Sequence, residues 1–453
     1  MSYEYTADKN RSIEADKPGK ALVHSLLNRI TGEHSAEFRN SRMIIADGCE
    51  YSLDDYSTKV SNNVLITGSV GCGKTRNIVS ANIYEAVGSY IITDPKGDLY
   101  KKYGAYLKKK GYDVKLIDFI RPERSMHYNP LAFIRNTQDI LKISAAIINS
   151  DDTAQSNADP FWDNNATMLL CSLIGLLYER HRLHKASDCS ISEVMRLMRM
   201  GQRINEDVKD SPLSILFDRH NREYPDSWAY EQFKNIDLVP YKTYDCIRAT
   251  MAGKFAEMDT PELKKMLSGN DFSFRNIAER KTAVFVNVSD TDRSLDTLVD
   301  LFFTQAMNEL CYYADNECKD NRLPVPVRFI LDDFATNCKI KEFPRMISSF
   351  RSRAISVMLM IQAESQLKAR YDEDAKTIIA NCDTYAYLGG NDLDTQKAIS
   401  ERCDRPLNEI SAMPIGHCWV FRRGNKPVFA KLKNTDRCIE EMMSVKEQER
   451  SVG

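Results

Sequence analysis

The order of apolar and polar positions divides the chain into distinct textures. Residues 1 to about 60 are polar and unpatterned, apart from Met43 to Ala46, an apolar run expected to form a strand leading into the alternating region beyond it. That region begins at Val64. VLIT (Val64 to Thr67), SYIIT (Ser89 to Thr93) and DVKLIDF (Asp113 to Phe119) are short strand-like runs. Between the last two, Leu99, Tyr103, Tyr106 and Leu107 recur at helical spacing, with Asp98 as the expected N-cap and Gly111 just past the end. From about 136 to 280 helical periodicity takes over, in a stretch that holds Trp162 and Trp228. Its most apolar part, Ala166 to Leu177, is shorter than the roughly 20 residues needed to cross a bilayer and predicts a buried helix. Strand texture returns at TAVFVNV (Thr282 to Val288), VRFIL (Val327 to Leu331), SVMLMI (Ser356 to Ile361) and TYAYLG (Thr384 to Gly389). Strands that alternate with helices predict an α/β fold: a parallel sheet covered on both faces.

Composition changes this picture little. A chain of 453 residues exceeds the usual reach of one core. The expected division is an N-terminal segment (1–60), a nucleotide-binding domain in two parts (61–135 and 281–433), an all-α domain between them (136–280), and a charged tail (434–453). Lys and Arg number 62 against 64 Asp and Glu, which argues against a broadly basic surface but leaves room for a local basic channel. The 12 cysteines form neither a CxxC pair nor a Cys/His cluster, so reduced thiols in the cytosol are expected. No signal peptide and no transmembrane segment is visible.

The chemistry is concentrated in one loop. GSVGCGKT satisfies G-x-x-x-x-G-K-[ST] at every position, between a predicted strand and a predicted helix. Gly68, Ser69, Val70, Gly71, Cys72 and Gly73 would turn successive main-chain N–H groups toward phosphates, aided by the positive end of the helix. Lys74 would reach the β- and γ-phosphates and Thr75 would place its hydroxyl on Mg2+. Such a loop needs a carboxylate at the end of another apolar strand. RFILDDF (Arg328 to Phe334) supplies Asp332 for the metal and Asp333 to activate water. An ordinary strand-end turn is the competing reading of that pair; the phosphate loop weighs against it.

At this point the residues resemble a family, the coupling ATPases of type IV secretion and conjugation (TraG-type proteins). The similarity runs in order through Asp94, Pro95, Lys96 and Gly97, then Asn129, Pro130 and Leu131, then DPFWDNNATMLL (Asp159 to Leu170). It continues through FRSRAISVMLMIQAESQL (Phe350 to Leu367), with Arg351, Gln362 and Gln366, and NCDTYAYLGGNDLDT (Asn381 to Thr395). The resemblance covers roughly residues 60 to 430. It implies a RecA-like fold, ATP and Mg2+ as ligands, a ring hexamer, and a motor that moves DNA with its relaxase to a conjugative secretion channel. It also implies that Gln362 senses the γ-phosphate and that Arg351 enters a neighbouring subunit's site. Members usually begin with transmembrane helices and often carry Glu where Asp333 stands. Attachment at the inner face of the cell membrane is therefore expected through a membrane-anchored partner.

Competing readings remain for individual residues. Gln362 is also consistent with a surface strand end, and Arg351 with a solvated arginine flanked by Arg345 and Arg353. Asp94 and Lys96 fit a site rim or pore, or equally a structural turn. The lysines at 101, 102 and 108 to 110 fit a solvated helix face better than a DNA channel. Two other functions stay open, a nucleotide-switched interaction hub and a DNA-translocating motor outside conjugation.

Overall fold

The computed structural model describes residues 40–149, 159–184, 188–203, 211–337 and 339–452. Eleven strands are present among them: β1 (Arg42–Ala46), β2 (Cys49–Ser52), β3 (Val64–Thr67), β4 (Ser89–Thr93), β5 (Asp113–Asp118) and β6 (Thr282–Asn287), followed by β7 (Val327–Leu331), β8 (Ile355–Ile361), β9 (Thr384–Tyr387), β10 (His417–Arg422) and β11 (Val428–Lys431). Nine of them form one sheet, in the order β11-β10-β9-β3-β8-β7-β4-β6-β5. The seven strands from β9 to β5 run parallel. β10 and β11 extend the sheet antiparallel.

Strands that are apolar at every position have two faces to bury. Along β3, Leu65 enters one hydrophobic core, while Val64 and Ile66 enter the other. β4 splits in the same way, with Ile91 on one face and Tyr90 and Ile92 on the opposite one. One face is covered by helices Ser80–Glu85 and Asp98–Lys109. The opposite face packs against Asp296–Glu317 and the helices described between Thr137 and Glu279, with no strand between β5 and β6 among the described residues. The long helix Pro160–His184 buries Ala166, Leu169, Leu170, Leu173, Ile174 and Leu177 in that same core. The helical region is thus continuous with the sheet's packing. No described helix is long and apolar enough to cross a membrane.

Two expectations need correction, and two further elements need placing. Met43 to Ala46 is a strand, as expected; it pairs antiparallel with β2 in a hairpin outside the main sheet, and it is buried in the same core as β3, which follows in the chain. The segment expected as a charged tail instead carries a helix, Asp436–Val452, whose Met442 and Val445 are buried in the core shared with Asp98–Lys109. Asp98 is not the N-cap of that helix; Gly97 occupies the position, at φ +66°. The terminal hairpin β10–β11 has no counterpart among the strands expected from sequence. β10 alternates buried and half-exposed positions, a one-sided pattern unlike the continuous apolar runs of the central strands.

Candidate nucleotide site

A parallel sheet presents all its strand C-termini along one edge, and the phosphate loop lies there. It leaves β3 between two neighbours: the N–H of Gly68 donates to the carbonyl of Ile361 at the end of β8 (3.1 Å), and that of Ser69 to Gly389 beyond β9 (2.9 Å). Two glycines are fixed by this path. A Cβ on Gly68 would lie 2.7 Å from Cys72 Sγ and 2.9 Å from Leu388 Cβ. Gly73 adopts φ +97°, with Asn77 Nδ2 only 2.6 Å from where its Cβ would be. Gly73 is the N-cap of a helix that opens as a π turn, Lys74–Val79, in which Ser80 N–H donates to Thr75 O. Turns of this kind recur at functional sites.

Lys74 is buried, and its Nζ donates to the carbonyls of Gly68 (2.5 Å) and Ser69 (3.2 Å). The ammonium is therefore held inside the loop whose amides are to face phosphate. Thr75 Oγ1 donates to Asp332 Oδ2 (2.7 Å), across 257 residues of chain. Cys72 belongs to the loop through its backbone, because burial pushes its thiol above the ordinary value despite the nearby Lys74 charge.

Asp332 is only 8% exposed. Its carboxyl is raised above the ordinary carboxylate value, first by burial and then by the charge of Asp333; the Thr75 hydroxyl and Lys74 partly oppose this. The backbone is clamped from two sides. Asp332 N–H donates to Thr93 Oγ1 (2.6 Å), Thr93 Oγ1 donates back to Asp332 O (3.1 Å), and Asn337 Nδ2 donates to the same carbonyl (2.7 Å). Neither Thr93 nor Asn337 stands out in the sequence. A polar residue closing a buried strand, as Thr93 closes β4, is the only available signal. Asp333 stands beside Asp332 with φ +50°, a left-handed backbone, and donates its N–H to Asp332 Oδ1 (3.1 Å).

Thr75 and Asp332 supply two oxygens. Among the described residues no group of three or more His, Cys, Asp or Glu is placed to hold a metal. Two protein oxygens beside a phosphate cradle suit Mg2+, which keeps several waters and completes its shell with substrate phosphates.

The remaining residues separate. Gln362 follows β8 directly and is half-exposed, its carbonyl 4.0 Å from the Cβ position of Gly390, which lies 3.6 Å from Ser69 N. Gln366, on the next helix, leaves a buried Oε1 without a partner. Arg351 is not brought to this site. It precedes β8, at the strand N-terminal edge, and the seven residues of β8 place it about 20 Å from the loop at ~3.3 Å per residue. Asp94 holds the start of a helix: Oδ1 accepts from Asp98 N–H (2.9 Å) and Oδ2 from Tyr100 N–H (2.8 Å), both in the first turn of Asp98–Lys109. Lys96 is exposed, as are the lysines at 101, 102 and 108 to 110.

Residues 29–405 match the family model described as type IV secretory system conjugative DNA transfer. The type IV secretion system-coupling protein VirD4 of Bartonella henselae is 27% identical over 370 residues, 80% of this chain and 55% of that one. Protein VirD4 of Rhizobium rhizogenes is 22% identical over 346 residues, 74% of this chain and 48% of its own length. The chain spans about half the length of these curated relatives. Among solved structures, the bacterial conjugative coupling protein TrwB with sulphate superposes with a TM-score of 0.62 at 15% identity, covering 89% of this chain and 92% of that one. TrwB with ADP and Mg2+ gives 0.60 over the same shares, also at 15% identity; a likeness at this identity establishes the RecA-like α/β fold. The family match covers well over half the sequence, and the chain belongs to the type IV secretory system conjugative DNA transfer family.

Proposed function

We propose that this protein is an ATP-hydrolysing coupling protein that recruits DNA with its relaxase and drives it to a type IV secretion channel. The observation that carries the reading is the Thr75–Asp332 hydrogen bond beside the buried Lys74 ammonium, on a chain of the conjugative DNA transfer family. The main-chain amides from Gly68 to Gly73 and Lys74 hold the phosphates, and charge placed where it develops is the main source of acceleration in phosphoryl transfer. Thr75 and Asp332 hold Mg2+, which supplies positive charge against the phosphate oxygens. Asp333 orients and deprotonates the attacking water, and Gln362 reads the γ-phosphate from the neighbouring strand end.

Arg351 completes the site of the next subunit. Its distance from its own loop argues against a role in cis, while a guanidinium offered in trans is worth about 10³ to 10⁵ in turnover in related NTPases. A head-to-tail ring, read as a hexamer, supplies that arrangement. Attachment to the inner face of the membrane runs through a membrane-anchored partner and channel subunits.

The test is the ATPase rate of the purified full chain with and without single-stranded DNA. Stimulation by DNA is expected. Tight nucleotide binding with no turnover under either condition would favour an interaction hub instead.

A further inference from the structure

Arg351 and Arg353 lie two residues apart and have different surroundings. Arg353 forms a two-pronged ion pair with Asp315 (2.8 and 2.7 Å) and also donates to Ser349 O. Its charge is neutralised on the spot. Arg351 donates through Nη2 to a neutral group, the main-chain carbonyl of Asp55 (2.9 Å). The carboxylate of Asp55 is engaged elsewhere: Oδ1 accepts from Arg322 Nη2 (2.5 Å), with Asp55 6% and Arg322 31% exposed at their side chains. Arg322 then returns to the start, its Nη1 donating to Arg351 O (3.1 Å).

The three residues thus form a closed circuit in which Asp55 and Arg351 are each held through their backbones. The Asp55 turn is itself anchored. Leu53 is buried in the core, and its carbonyl accepts from Asn62 Nδ2 (2.7 Å). Asp54 Oδ1 caps the turn by accepting from Tyr56 and Ser57 N–H (3.2 and 3.3 Å). An arginine fork fixes geometry when it spans two acceptors, and Arg322 spans the Asp55 carboxylate and the Arg351 carbonyl. The Asp55 charge is consumed by Arg322, so Arg351 is held in place without being neutralised.

We propose that Asp55 and Arg322 are positioning residues for Arg351, clasping it at the strand N-terminal edge with its charge available to an anion outside its own chain. This rests on the shared-site reading of Arg351. A displacement of about 1 Å at a reacting group costs on the order of 100-fold in rate. Asp55→Asn in the assembled full-length protein is therefore expected to lower kcat by about 10- to 100-fold. KM for ATP is expected to hold within about twofold, because the defect concerns only the transition state.

Mixed assemblies separate positioning from damage to the fold. Asp55→Asn subunits keep an intact phosphate loop but offer a displaced Arg351. Mixed with Lys74→Ala subunits, which keep Arg351, they are expected to recover activity; mixed with Arg351→Ala subunits they are not. Recovery with Arg351→Ala would place the defect in the variant's own site and overturn the proposal. Should Asp55→Asn fail to fold, Arg322→Gln takes its place, and wild-type turnover in that variant would overturn the clasp. If Arg351→Ala is inactive while Asp55→Asn turns over normally, the clasp alone fails. If Arg351→Ala is fully active, the shared-site reading fails and the clasp with it.

Discussion

Two aspartates end neighbouring strands of one sheet. Asp94 follows β4 and Asp332 follows β7, the two strands pair in parallel, and the residues are 2% and 8% exposed. Burial raises the carboxyl of each above its ordinary value. Their partners differ. Asp94 is answered by main-chain N–H groups of the helix it caps, and these also oppose the shift. Asp332 accepts one main-chain N–H, from Asp333, and otherwise meets a hydroxyl, a lysine charge and the Asp333 carboxylate, which belong to the glycine loop or to the strand end beside it. Each also feels a neighbouring carboxylate, Asp98 for Asp94 and Asp333 for Asp332. We assign Asp94 to holding its helix and Asp332, which shares side-chain partners with the glycine loop, to the proposed cation site. Burial alone does not tell them apart.

The largest expected effect falls on Asp332. Asp332→Asn removes the metal's anionic ligand and should cut ATP turnover by at least about 100-fold. Burial opposes the charge of that carboxyl, so the melting temperature of the neutral variant should stay level or rise. A melting temperature that falls by several degrees would move Asp332 to the structural side of the comparison.

Asp94→Ala should do the reverse. It leaves two first-turn amide donors of Asp98–Lys109 without their acceptor, a loss of about 0.5–2 kcal/mol, visible as a lower denaturation midpoint. Turnover per folded molecule should change by less than about threefold, since no transition-state contact is removed. A tenfold fall in kcat at unchanged stability would make Asp94 part of the site.

The smallest effect is one of pH. The folded carboxyl of Asp332 holds its proton above the ordinary range, so stability from this group is full below the unfolded value and is lost as pH rises through the folded one. Mg2+ binds the ionised form. The gain in melting temperature given by Mg2+ with ADP should therefore grow with pH over that window and then level off, and Asp332→Asn should abolish the trend. An equal gain at every pH from about 4 to about 8 would break the assignment.

Much of this was legible in the sequence, and the reasons are physical. β3, β4 and β7 matched their expected runs residue for residue, because strands buried on both faces read as short, nearly continuous apolar runs bounded by polar and turn residues. The phosphate loop was legible because its backbone path admits few residues at Gly68 and Gly73. The β10–β11 hairpin was not, since alternate positions of β10 and most of β11 face outward. Nor was the role of Asp94, which depends on amides that come within reach only once Gly97 has turned the chain. The clasp around Arg351 lay further still from local pattern: its carboxylate is 267 residues from its arginine.

The height of the sheet also sets a rule of counting. If the phosphate loop sits at one edge and Arg351 serves from the other, a lone chain has two half-sites and no whole one. Two chains joined head to tail make a single complete centre, and an open run of n makes n − 1. Closure adds the last without adding a subunit. Activity per chain would then climb with protein concentration and reach its plateau only where rings close.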